Sequence, residues 1–139
     1  MIHNISYRVF VHATENEDKV LEALRTIIPN AKPEKEEIEG HHHNPILVMK
    51  EKITDKKTIK KFIETMKEIG KEINNDLENM IDNHANLFLR FDKQEAYKGR
   101  IKLTTHGDAI HIKAKIKAYP AKKSVAIKKL REFLTNEVL

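Results

Sequence analysis

The 139-residue chain contains no cysteine and no tryptophan, and only four glycines. Without cysteine it has no disulfides, no thiolate zinc site and no thiol nucleophile. So few glycines leave no GxGxxG or GxxxxGK[ST] loop to cradle a phosphate, which argues against nucleotide hydrolysis. A GxSxG nucleophile turn is missing as well. No apolar run approaches the roughly 18 residues of a membrane span. The opening "MIHNISYRVF" lacks the basic start and apolar stretch of a signal peptide, so a cytoplasmic protein that keeps off membranes is expected.

Charge is abundant, at 34% of residues, and it is unevenly placed. Residues 1–85 carry 13 basic and 16 acidic side chains; residues 86–139 carry 13 basic and 5 acidic. The net +5 therefore comes wholly from the last third, an asymmetry that suits a surface facing a polyanion.

Hydrophobic periodicity gives the elements. "NISYRVFVHATEN" alternates as a strand, and Phe10 makes part of its second face apolar. Thr14 with Glu17 has capping-box spacing ahead of a helix that Pro29 stops. "EKEEIEG" and "PILVMKEKIT" form a hairpin around His41–His43. One helix from Asp55 to Asp82, or two meeting near Gly70, follows; glycine costs a helix about 1 kcal/mol relative to alanine. "NLFLRFD" is a strand, "KQEAYKG" a helical turn, "RIKLTT" a strand and "HGDA" a tight turn. "IHIKAKIKAYP" is a long strand, and a final helix starts shortly after Pro120. This order predicts one α+β domain over residues 1–139, a two-layer sandwich with an antiparallel or mixed sheet and helices on one face.

The sharpest pattern is "IHIKAKIKAY". Ile110, Ile112, Ala114, Ile116 and Ala118 share one face; His111, Lys113, Lys115, Lys117 and Tyr119 share the other. Same-face residues of a strand lie about 6.5–7 Å apart, so the lysines would form a ridge able to follow a phosphate backbone. Arg90, Lys93, Lys98, Arg100 and Lys102 add to it, as do Lys122, Lys123, Lys128, Lys129 and Arg131. A solvated sheet face enriched in lysine to block edge pairing is the bland alternative.

The histidine run belongs to the fold, since it is internal. A structural zinc ion needs four ligands and a catalytic one three, and no HExxH or other ligand spacing is present. The run can equally serve as a polar loop or donate to phosphate and stack on bases. No cofactor is expected.

Three stretches, "EGHHHNPI", "LFLRFDKQEAYKGRIKL" and "IHIKAKIKAYP", resemble a family of small archaeal proteins described as RNA-binding or exosome-associated. Its first motif reads G-H-H-G-N-P-I and its second R-x-D-K-Q-x-A-x-x-G. His43 stands here where the family has glycine. The resemblance spans nearly the whole chain and implies a fold similar to ribosomal protein L5. It also implies RNA binding, in rRNA processing or RNA degradation.

By motif position the candidates are Gly40, His41, His42, Asn44, Arg90, Asp92, Lys93, Gln94 and Gly99. Arg90 and Lys93 suit phosphate, and Asn44 and Gln94 suit a base edge or ribose hydroxyl. Asp92 suits orienting Lys93 or capping the next turn. The resulting expectation is a non-catalytic module for structured RNA, such as rRNA, working within an RNA-processing complex. Its contacts would be His41, His42, Asn44, Arg90, Lys93, Gln94, Lys98, Arg100, Lys113, Lys115, Lys117, Lys122 and Lys123. The alternatives are a metal-dependent nuclease or phosphoesterase using His41–His43, and an interaction subunit docking through its acidic first part. The sequence leaves the choice between monomer and homodimer open.

Overall fold

Alternating apolar residues in β1 (Ile2–Val11) turn Ile5, Tyr7, Val9 and Val11 inward and leave Arg8 outside. Helix α1 (Glu17–Ile27) follows, then β2 (Glu34–Glu39), β3 (Pro45–Ile53), α2 (Lys56–Glu68), α3 (Gly70–Asn75) and α4 (Leu77–Met80). The chain continues through β4 (Asn86–Asp92), α5 (Lys93–Tyr97), β5 (Ala109–Ile116) and α6 (Lys123–Thr135). These elements come from a computed structural model that describes residues 1–40 and 44–135. His41, His42 and His43, and the roles considered for them, lie outside the described residues.

The five strands form one open sheet in the order β2-β3-β1-β5-β4, every pair antiparallel. One hydrophobic cluster joins its inner face (Ile5, Val9, Met49, Leu87, Leu89, Ile112) to the helices through Leu24, Phe62, Met66, Ile73 and Leu130. The two-layer α+β arrangement expected from the sequence is what the chain adopts. Among the described residues no helix is long and apolar enough to cross a membrane.

Four local expectations are corrected. The α1 cap is Asn16, not Thr14: its side chain accepts from the Asp18 and Lys19 N–H groups at 2.9 and 3.2 Å, which makes Glu17 the first helical residue. The Asp55–Asp82 stretch breaks at Ile69 beside Gly70, as the two-helix alternative has it, but also at Asp76, which neither alternative includes; Asp55 is its N-cap. At Gly70 an added Cβ would meet Leu134 of α6 at 3.5 Å, an ordinary van der Waals contact. Third, 100–105 is not a strand. It meets the edge of β4 at one bridge, Leu103 to Phe91, flanked by Asp92 N–H to Lys102 O and Thr104 N–H to Arg90 O, each 2.8 Å. Positive φ at Gly99 and Gly107 bends the chain on either side. Finally, β5 ends at Ile116, because Lys117 N–H turns to the Met1 carbonyl and Ile116 N–H to Ala85.

Candidate nucleic-acid interface

Directly opposed residues of an antiparallel sheet share a face, so strand register fixes what the outer face carries. One row across it reads Glu34, Lys50, Arg8, His111, Arg90. The next reads Lys52, Ser6, Lys113, Phe88, and a third reads Asn4, Lys115, Asn86. With strands about 4.8 Å apart, Arg8 and Arg90 flank His111 at roughly 10 Å from each other.

Phe88 is 46% exposed on the outer face of the edge strand β4, with Lys113 Nζ 6.0 Å from its ring centroid. Arg8 sits 5.4 Å over Phe10 in the same way. Among the described residues Arg8, Arg90 and Lys113 form no ion pair, whereas Lys50 is paired with Glu36 at 2.6 Å near the far edge. Lys115 donates to the His84 carbonyl. Burial, with the Arg90 and Arg8 guanidiniums beside it, lowers the His111 pKa, so the imidazole is neutral at pH 7. A stacking ring set among guanidinium and ammonium groups is what an unpaired nucleic-acid strand needs: a platform for a base and cations for its phosphates.

The other predicted residues are dispersed. Lys93 is fully buried: its ammonium donates to Phe10 O at 2.7 Å, Glu15 Oε1 at 2.8 Å and Asp108 Oδ2 at 2.7 Å. All three donors are spent and the group is sealed from solvent, which corrects the expectation of a phosphate contact. Asp92 takes its capping role, accepting from Glu95 N–H at 3.0 Å. Gln94 is exposed at the rim of a cleft outside β4. Lys98 and Arg100 are exposed beyond α5, and Arg100 pairs with Glu95 at 3.5 Å.

Lys117 leaves the ridge for a hollow beside Met1, His3, Lys56 and Lys60. Tyr119 is 77% exposed there, its hydroxyl 3.2 Å from His3 Nε2. Lys122 and Lys123 lie beside Glu78 in the helical layer. Asn44 is exposed, and its carbonyl accepts from Gly40 N–H.

Among the described residues His12, Glu15 and Asp108 bring possible metal ligands within 4.8 Å of one another. The Lys93 ammonium already stands against both carboxylates, and His12 Nε2 is 3.4 Å from Asp108. Burial opposes ionisation of Glu15, yet the bonds from Lys93, His12 N–H and Tyr97 Oη hold its pKa below the usual range. A protein ammonium thus provides the positive charge in this trio.

Sequence reasoning passed over Arg8 and Phe88. Their signal was available: each stands at an outward position of an alternating strand, where an arginine beside an aromatic residue is not needed for the core.

The chain is similar to several archaeal proteins. RNA-binding protein PAB1135 of Pyrococcus abyssi is 40% identical, over 97% of this chain and 95% of that protein. The structure of Mth689, a DUF54 protein from Methanothermobacter thermautotrophicus, matches with a TM-score of 0.90 and 47% identity, over 96% of this chain and 98% of the other. That of AF2318 from Archaeglobus fulgidus, another DUF54 protein, gives a TM-score of 0.82 at 34% identity, over 95% and 99%. Residues 4–116 match the model of the RNA-binding family, and the chain belongs to that family.

Proposed function

We propose that this protein binds RNA through the outer face of its sheet, holding an unpaired stretch of a structured RNA. The observation that carries the reading is the placing of exposed Phe88 among Lys113, Arg8 and Arg90, on the side of the sheet opposite the helices. A base stacks on the Phe88 ring while the phosphates on either side meet the guanidinium and ammonium groups. The family match and the name of the Pyrococcus relative support RNA as the polyanion.

The finer reading is a non-catalytic, cytoplasmic module that presents an RNA such as rRNA to a processing or exosome-linked degradation complex, as a monomer or homodimer. An L5-like architecture belongs with it. Fluorescence anisotropy with a labelled RNA hairpin bearing a single-stranded tail tests the core claim. Tight binding at low salt, weakening by about 0.7 log units of affinity per log unit of salt for each single-strand phosphate neutralised, is expected. No binding at any salt concentration would refute it.

A further inference from the structure

Beside the outer edge of β4 lies a cleft of about 950 Å³, walled on one side by the α3–α4 segment and on the other by residues 102–108. That is within the size range of small-ligand pockets. Phe88 and Arg90 line it and also stand on the outer sheet face, so the two surfaces are continuous. Their charge differs. The outer face is cationic around Phe88, whereas Glu72, Asp76, Asp92 and Asp108 line the cleft against Arg90 and Lys102. A phosphate in the cleft would face carboxylates, so a polyanion would send only its neutral parts there.

From this we infer that the cleft receives the base of an unpaired nucleotide, and specifically one that carries an exocyclic amino group. The inference rests on the RNA-binding reading. Carboxylates accept hydrogen bonds and cannot donate them, so Asp76 and Glu72 suit the amino group of adenine, cytosine or guanine. They repel the carbonyl oxygen that uracil presents in its place.

Donors for the neighbouring ring nitrogen or carbonyl are at hand. The Arg90 Nε–H is buried and has no acceptor, while its Nη2 is held by Gly107 O at 3.2 Å. A buried guanidinium N–H without a partner is costly, and a small turn of the Arg90 side chain towards the cleft would let a base acceptor satisfy it. Gln94 at the rim offers both a donor and an acceptor for the ribose hydroxyl, while the Thr104 hydroxyl, which donates to His106 O at 2.9 Å, can still accept.

The test compares single-stranded decamers of adenosine, cytidine and uridine by anisotropy at one fixed salt concentration. The wild type should bind the adenosine or cytidine decamer about tenfold more tightly than uridine, the discrimination expected of one well-read base edge. Asp76→Asn should erase most of that preference without changing the salt slope. Thr105→Trp, at an exposed position of the rim, should fill the cleft and bring all three affinities to the uridine level. Equal affinities in the wild type, with a normal salt slope, would overturn the base pocket and leave RNA binding standing. So would a preference that survives both substitutions. Absence of binding to every oligomer would overturn both readings together.

Discussion

The Lys93 ammonium lies 2.7 Å from Asp108 Oδ2 at a point sealed from solvent, and it ties the start of α5 to the turn before β5. Through Glu15 and the Phe10 carbonyl it also reaches the end of β1. Removing one partner of a buried ion pair strands the others, so Lys93→Met should lower unfolding free energy by about 3 kcal/mol in urea titrations. The pH dependence should change too. Glu15 has a depressed pKa when folded, so its contribution is complete above the ordinary glutamate range and disappears as pH falls through the folded value. Wild type should therefore lose more stability between about pH 5 and pH 3 than Lys93→Met does. Indistinguishable urea midpoints at neutral pH would mean the buried cluster contributes no net stability.

Phe88 presents nearly half its surface to water, so its removal should leave the fold alone. Phe88→Ala is expected to shift the unfolding midpoint by no more than about 0.5 kcal/mol. RNA affinity should fall by about 1–3 kcal/mol if the ring stacks a base. Anisotropy beside thermal unfolding separates the two effects, and unchanged affinity would remove Phe88 from the interface.

Charge contacts leave a different signature. Arg8→Ala and Lys113→Ala should each lower the slope of log affinity against log salt by about 0.7, one single-strand phosphate apiece. Lys122→Ala and Lys123→Ala, beside Glu78 in the helical layer, should leave the slope where it was. A slope that responds to Lys122 and Lys123 but not to Arg8 would move the RNA to the opposite side of the molecule.

At the β2–β3 hairpin the glycine requirement is steric. An added Cβ on Gly40 would come within 2.5 Å of Ile46 Cδ1 and 2.7 Å of the Asn44 carbonyl oxygen, which accepts from Gly40 N–H. Gly40→Ala should cost about 1–3 kcal/mol by thermal unfolding, the range of an overpacked site. A variant as stable as the wild type would show that Ile46 yields without cost.

The strands were legible because their period-two patterns are strong. Tyr7, Val9 and Val11 in β1, and Ile110, Ile112 and Ala114 in β5, leave no other way to bury one face. The same patterns foretold that Lys113 and Lys115 would share the outer face. The sequence could not show that Lys93 is buried, because its partners Glu15 and Asp108 are 78 and 15 residues away. Residues 100–105 alternate like a strand, yet they only brush the outer edge of β4 at the Leu103–Phe91 bridge, between the bends at Gly99 and Gly107. The row of Arg8, His111 and Arg90 depends on register across three strands, which no local pattern carries.

That row gives the interface a pH response. In the free protein the His111 pKa is lowered by burial and by the two guanidiniums beside it. A histidine with a depressed folded pKa is protonated first in the unfolded chain, so its contribution to stability falls as pH drops through the ordinary histidine range. RNA reverses the local field. Phosphates over Arg8 and Arg90 would offset their charge, favour the imidazolium and make binding take up a proton. Affinity should therefore rise from about pH 7 to pH 5.5 while the stability of the free protein declines. His111→Gln should flatten both trends relative to wild type, measured by anisotropy and urea unfolding across that range. Parallel pH profiles for wild type and variant would mean that RNA does not lie over the Arg8–His111–Arg90 row.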